Sequence, residues 1–157
     1  MTRTVRKVEG TKPSNPKDLV GIKKLPLQLI PATALAQVAL AHYDGLTKYG
    51  AWNWRNHGVR ASIYLDAAER HIKAWQEGET LATDSQVHHL AHAICCFNII
   101  LDAEIAGKLM DDRPPSNPGY QTLIDTLTNT LAHLQAKNRQ ATPRHFTIAD
   151  SDECREV

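Results

Sequence analysis

The segment SQVHHLAHAICCFNIILDAEIAGKL, Ser85 to Leu109, limits the fold more than any other part of this chain. Val87, Leu90, Ile94, Phe97, Leu101 and Ile105 recur at three- and four-residue steps, the spacing of one face of an α-helix. This stripe is expected to point inward. Cys96, Ile99 and Ile100 make the opposite side apolar as well. A helix that is apolar all round sits at the centre of a helical core or lends one face to another subunit, so at least a dimer is expected.

Three further helices are expected around it. Pro31 suits the first turn of a helix through ATALAQVALAHYDGLTKYG, with Leu35, Val38, Ala39 and Leu46 on one face and Gly50 ending it. A second helix runs from about Arg60 to Gln76. A fourth, YQTLIDTLTNTLAHLQAK, carries Leu123, Leu127, Leu131 and Leu134. Pro13, Pro16, Pro26 and Pro31 interrupt both helix and strand over residues 1–30, which read as an extended arm. No stretch alternates as a strand does. The fold expected is therefore all-α, a bundle of about four helices. Its 157 residues would form a single domain, with the arm at 1–30, the helical core at 31–137 and a polar tail at 138–157.

Bulk properties exclude more than they identify. With 18 basic and 17 acidic residues and a net charge of +1, the chain has no overall attraction for nucleic acid or a membrane surface. No apolar run approaches a membrane span, and MTRTVRKVEG lacks the apolar core of a signal peptide. A cytoplasmic protein is expected. Three cysteines, Cys95, Cys96 and Cys154, suit a reducing compartment and form no thiolate zinc pattern.

Chemistry concentrates in three places. His88, His89 and His92 fall within about 100° of arc near the start of the third helix, where the helix dipole favours neutral imidazole, the metal-binding form. On the second helix Tyr64, Leu65, Ala68, Ile72 and Trp75 form the apolar side with His71 at its edge. Asp66, Glu69 and Lys73 lie opposite. Asp66 with Arg70 and Glu69 with Lys73 have the spacing of exposed ion pairs worth about 0.2–0.5 kcal/mol each, while Asp66 and Glu69, three apart, have the spacing to grip one hard cation. Glu77, Glu79 and Asp84 follow in the loop. The third place is KYGAWNWRNHG, where Lys48, Asn53, Trp54 and Arg55 combine charge for phosphates with flat rings for a base. Neither a Walker A motif nor GxGxxG is present.

These residues carry a family likeness. GIKKLPLQLIPATALAQVALAHYDGLTKYGAWNWR, VRASIYLDAAERHIKAWQEGE and HHLAHAICCFNIILDAE together resemble the phage dATP/dGTP diphosphohydrolase family over roughly residues 15–104, and more distantly the all-α MazG-like nucleoside triphosphate pyrophosphohydrolases. The resemblance implies a helical, usually oligomeric enzyme that uses a divalent metal, Mg²⁺ or Mn²⁺, to cut dGTP and dATP into monophosphate and pyrophosphate. In some phages such an enzyme supplies dGMP for 2-aminoadenine DNA. The MazG-like metal motif is an ExxE pair on one helix and an ExxD pair on the next. Its nearest matches here are Asp66 with Glu69 and His89 with His92, so imidazoles would stand where carboxylates are usual and tilt preference toward Mn²⁺. A different set would join His71, Glu79 and Asp84 to His89 and His92.

The implied chemistry is metal-assisted hydrolysis. Lys48, Arg55 and Arg70, with Asn53 and Trp54 beside them, would hold the nucleotide, and Glu79 or Asp84 would take the proton of the attacking water, with His71 a third catalytic candidate. One rival is a histidine–aspartate phosphohydrolase releasing inorganic triphosphate. Another is a non-catalytic helical oligomer whose basic arm, Arg3, Arg6, Lys7, Lys23 and Lys24, contacts nucleic acid.

Overall fold

The computed structural model describes residues 15–151. Arg3, Arg6 and Lys7 of the arm, and Cys154, lie outside the described residues. The chain divides into two units, ending at Ala36 and beginning at Gln37.

In the first unit, residues 15–30 contain more helix than their prolines suggest. Helix α1 (Pro16–Gly21) starts with Pro16 at its first position, where a missing N–H costs nothing. The Asn15 side chain accepts from Lys17 N at 2.9 Å, and Asp18 returns a bond to the Asn15 N–H, a reciprocal cap that holds so short a helix. A 3₁₀ turn follows at Leu27–Leu29.

Helix α2 (Ala32–Tyr49) begins in the first unit and continues into the second. Gly50 ends it with φ +87°, a conformation open to glycine at little cost. The second unit continues with α3 (Asn53–His57), α4 (Ala61–Gln76), α5 (His89–Ile105) and α6 (Tyr120–Lys137). Two-residue strands β1 (Val59–Arg60) and β2 (Leu109–Met110) pair in parallel, the only sheet among the described residues and too short for alternation to reveal. Gly58 makes that pairing possible. Its φ is +79°, and a Cβ there would stand 2.8 Å from the Lys108 carbonyl oxygen.

Helices α4 and α5 pack along one another. Ala68 and Ala103 are fully buried at 0% exposure, small enough to let the backbones approach. A core of Val38 and Ala41 from α2 with Val87, Ala91 and Cys95 is completed by Ile99. The all-α expectation therefore holds, and α2, α4 and α6 keep their expected limits to within a residue or so. The third helix is shorter than expected. Residues 81–88 instead form a turn in which Ala82 N donates to Val87 O and Gln86 takes φ +58°.

The orientation of α5 reverses the sequence expectation. Ile94, Phe97, Leu101 and Ile105 are exposed, whereas His89, Ala91, Cys95 and Ala103 are buried. With both sides apolar, the side bearing small residues is the one that admits a neighbouring helix closely. Among the described residues no helix is long and apolar enough to cross a membrane.

Candidate active site

Three helices contribute stripes to one cavity of about 520 Å³, within the usual range for small-molecule sites. From α2 come Ala41, His42, Asp44, Gly45, Lys48 and Tyr49; from α4 come Ile63, Tyr64, Ala67, Arg70 and His71. Cys95, Cys96 and Ile99 of α5 supply an apolar wall, with His92 beside it. Asn53 and Trp54 of α3, and Asp84 of the 77–88 loop, complete the lining.

At the charged end Lys48 Nζ lies 2.7 Å from Asp44 Oδ2 and 3.3 Å from Asp84 Oδ2. The bond to Asp44, then that to Asp84, raises the Lys48 pKa against the effect of burial, and Lys48 in turn lowers that of Asp84. Arg70 makes no ion pair or hydrogen bond among the described residues, so the expected pair with Asp66 does not form. An unpaired guanidinium at a cavity wall is available to an anionic ligand.

The histidines have distinct duties. His88 is the N-cap of α5, its Nδ1 accepting from Leu90 N at 3.1 Å. His92 stacks on His71 with ring centroids 4.6 Å apart, and its Nε2 is 2.8 Å from Ser85 Oγ. His71 Nδ1 is 2.8 Å from His89 Nδ1. Burial, with the neighbouring imidazoles adding to it at His71, lowers the pKa of both His71 and His92 and favours their neutral forms. His89 is 6% exposed, and its Nε2 is buried without a hydrogen-bond partner, 3.5 Å from Glu79 Oε1.

At the opposite end Trp54 packs on Trp52 with centroids 5.3 Å apart and on His42 at 6.0 Å. Trp52 holds φ +58°, an uncommon conformation for a bulky residue, and Arg55 lies over its ring at 4.4 Å. Arg55 is bidentate to Asp102 at 2.7 and 2.6 Å, and Trp54 Nε1 donates to the same carboxylate at 2.6 Å. Those contacts hold the Asp102 carboxyl down to about 2. A second cavity of about 560 Å³ shares His42 and Trp54 and reaches Tyr43, Trp52, Asn98 and Asp102.

The structure thus brings together Lys48, Asn53, Trp54, Arg70, His71, Asp84 and His92, with His89 and Glu79 behind them. Asp66 and Glu69 lie on the exposed side of α4, where Glu69 meets Lys73 at 3.6 Å, and are not brought to His89 and His92. Arg55 is engaged by Asp102 rather than directed to phosphates. Among the described residues no three His, Cys, Asp or Glu side chains converge to hold one metal ion. Asp44 and Asp84 are the two carboxylates that line the cavity, both within reach of Lys48 Nζ, and Mg²⁺ is commonly bound through one or two carboxylates together with substrate phosphates. Asp44, Tyr64, Ser85 and Asp102 were not singled out from sequence. Of these only Asp44 left a local signal, four residues before Lys48.

Residues 14–113 match the family model for the N-terminal region of dATP/dGTP diphosphohydrolases. The chain belongs to this family. It is therefore a nucleoside triphosphate diphosphohydrolase, and a deoxynucleoside triphosphate is the substrate its family implies. No curated protein and no solved structure matches the chain. The matched region contains every residue lining the cavity; α6 lies beyond it.

Proposed function

We propose that this diphosphohydrolase binds dGTP or dATP in the cavity between α2, α4 and α5 and hydrolyses it to the monophosphate and pyrophosphate. The observation that carries this reading is the unpaired Arg70 lining the same cavity as Lys48, His71 and Trp54. Lys48 and Arg70 bind the phosphates. Trp54 and the adjoining aromatic cavity, with Asn53 and Asn98 at its borders, receive the deoxyribose and purine by stacking and amide hydrogen bonds. Two carboxylates against Lys48 and Arg70 leave the site without surplus positive charge, so a polyanion needs a further cation there. Asp44 and Asp84 would hold Mg²⁺ or Mn²⁺ with the triphosphate, and the metal would offset phosphate charge and acidify water. The more distant MazG-like resemblance supports cleavage between the α- and β-phosphates, and the phage likeness supports a role in supplying dGMP for 2-aminoadenine DNA. Exposed Ile94, Phe97 and Leu101 on α5, and Leu127 and Leu131 on α6, support self-association, which light scattering reads directly.

Incubating the pure protein with dGTP or dATP and either metal, then resolving products by anion exchange, tests the reaction. Monophosphate with pyrophosphate is expected. Nucleoside with triphosphate, or diphosphate with orthophosphate, overturns it.

A further inference from the structure

His71 and His89 face each other nitrogen to nitrogen, Nδ1 to Nδ1 at 2.8 Å. One must donate and the other accept. If His89 is neutral and donates, its buried Nε2 presents a lone pair to the Glu79 carboxylate, which only accepts. If His71 donates instead, His89 Nε2 carries a hydrogen toward that carboxylate. A buried polar atom without any partner is destabilising, and Glu79 at 3.5 Å is the group placed to relieve it by a small movement of a half-exposed side chain. Catalytic bonds that are long in a free enzyme tighten when substrate arrives. Glu79 therefore selects the arrangement in which His71 holds its proton on Nδ1. The remaining nitrogen, His71 Nε2, has no protein partner among the described residues and is not sealed off as His89 Nε2 is.

We infer that Glu79, His89 and His71 form a hydrogen-bonded relay in which His71 Nε2 is the general base for hydrolysis, oriented by His89 and Glu79. This rests on the diphosphohydrolase reading of the cavity. His71 Nε2 takes a proton from water as the water oxygen bonds to the α-phosphorus; the bond from that phosphorus to the α–β bridging oxygen breaks, and its electron pair leaves with pyrophosphate. The imidazolium so formed is held through its Nδ1–H by His89 Nδ1, whose own Nε2–H faces the Glu79 carboxylate, and His71 then gives its Nε2 proton to the departing pyrophosphate or to solvent, which restores the starting tautomers. His92, stacked on His71 and tied to Ser85, fixes the plane of the base. His71 touches the reacting water and is the catalytic residue; His89 and Glu79 are positioning residues. The three are spread over α4, the following loop and α5, so the sequence offered Glu79 as a proton acceptor and His89 as a metal ligand without showing that His89 stands between Glu79 and His71.

Nitrogen-15 NMR of the imidazoles in the substrate-free full chain reads the arrangement without any turnover. The expected pattern is His71 protonated at Nδ1 and bare at Nε2, with His89 protonated at Nε2, and loss of that bias in Glu79→Ala. Kinetics with dGTP follow. Glu79→Gln keeps an acceptor but removes the charge, and should lower kcat at least 10-fold with KM little changed. His71→Gly should lose turnover and regain part of it with added imidazole, and His71→Gln keeps a folded, inactive control. A bare Nδ1 on His71, or full kcat in both Glu79→Gln and His71→Gln, overturns the relay while wild-type turnover leaves the diphosphohydrolase reading standing. A wild type that cleaves no deoxynucleoside triphosphate overturns both.

Discussion

Helices α5 and α6 are nearly equal in length, 17 and 18 residues, and both carry apolar residues at helical spacing, yet α5 buries five residues and α6 buries none. The difference lies in side-chain size and in what the packed face carries. On α5 the alanines and Cys95 admit α4 and α2, and the same face presents His89 and His92 to the site. On α6 the stripe is leucine, flanked by threonine, and Leu127 and Leu131 each remain 52% exposed. Periodicity identifies an apolar face; it does not identify the partner that covers it. The proposed site belongs to the first helix environment and not to the second.

The largest expected effect separates the two helices by chemistry. His71→Gln, on the helix packed against α5, should reduce kcat by about 10²–10⁴-fold, the usual contribution of a general base. His133→Gln, on the exposed α6, should leave steady-state hydrolysis of dGTP unchanged. Equal losses would erase the distinction.

Packing should separate them next. Ala68→Leu forces extra methylenes between α4 and α5 and should cost about 1–3 kcal/mol in urea unfolding. Ala132→Leu on α6 has open surroundings in the single chain and should stay within about 0.5 kcal/mol. A large cost at Ala132 would show that α6 is packed against another copy, which would sharpen the comparison and not remove it.

Smaller still is the acid dependence contributed by Asp102 on α5. Its carboxyl falls to about 2 in the folded chain, below the ordinary value of about 3.9, so its stabilising effect is present above about pH 4 and disappears as pH drops through about 2. Asp102→Asn should flatten the decline in stability over that window, less visibly at high salt because the pair with Arg55 is partly exposed. The smallest effect is chemical. Burial pushes the Cys95 thiol up to about 12, so alkylation at neutral pH should be slow in the folded chain and fast in urea.

Much of the fold could be read from sequence because helix limits are local. Pro31, Gly50 and the 3.6-residue stripes mark α2, α4 and α6 without knowledge of any contact. The facing of α5 could not be read, since apolar residues occupy both sides and the packed side is the one carrying the small residues Ala91, Cys95 and Ala103. Histidine crowding at the start of α5 drew attention to a segment that borders the cavity, and Lys48, Arg70, His71 and Asp84 line that cavity with His92. Asp102, 47 residues from Arg55, and Ser85, which turns back on His92, carry no local mark of their roles. Their roles come from the turns that bring distant segments together.

The most direct test of the cavity as the site of hydrolysis is a crystal structure with a dGTP analogue whose α–β bridging oxygen is replaced by a methylene group, soaked with Mn²⁺. The triphosphate is expected between Lys48, Arg70 and Asp84, with the α-phosphate toward His71 and the guanine against Trp54. Density for the analogue elsewhere on the chain, with this cavity holding only water, would contradict it.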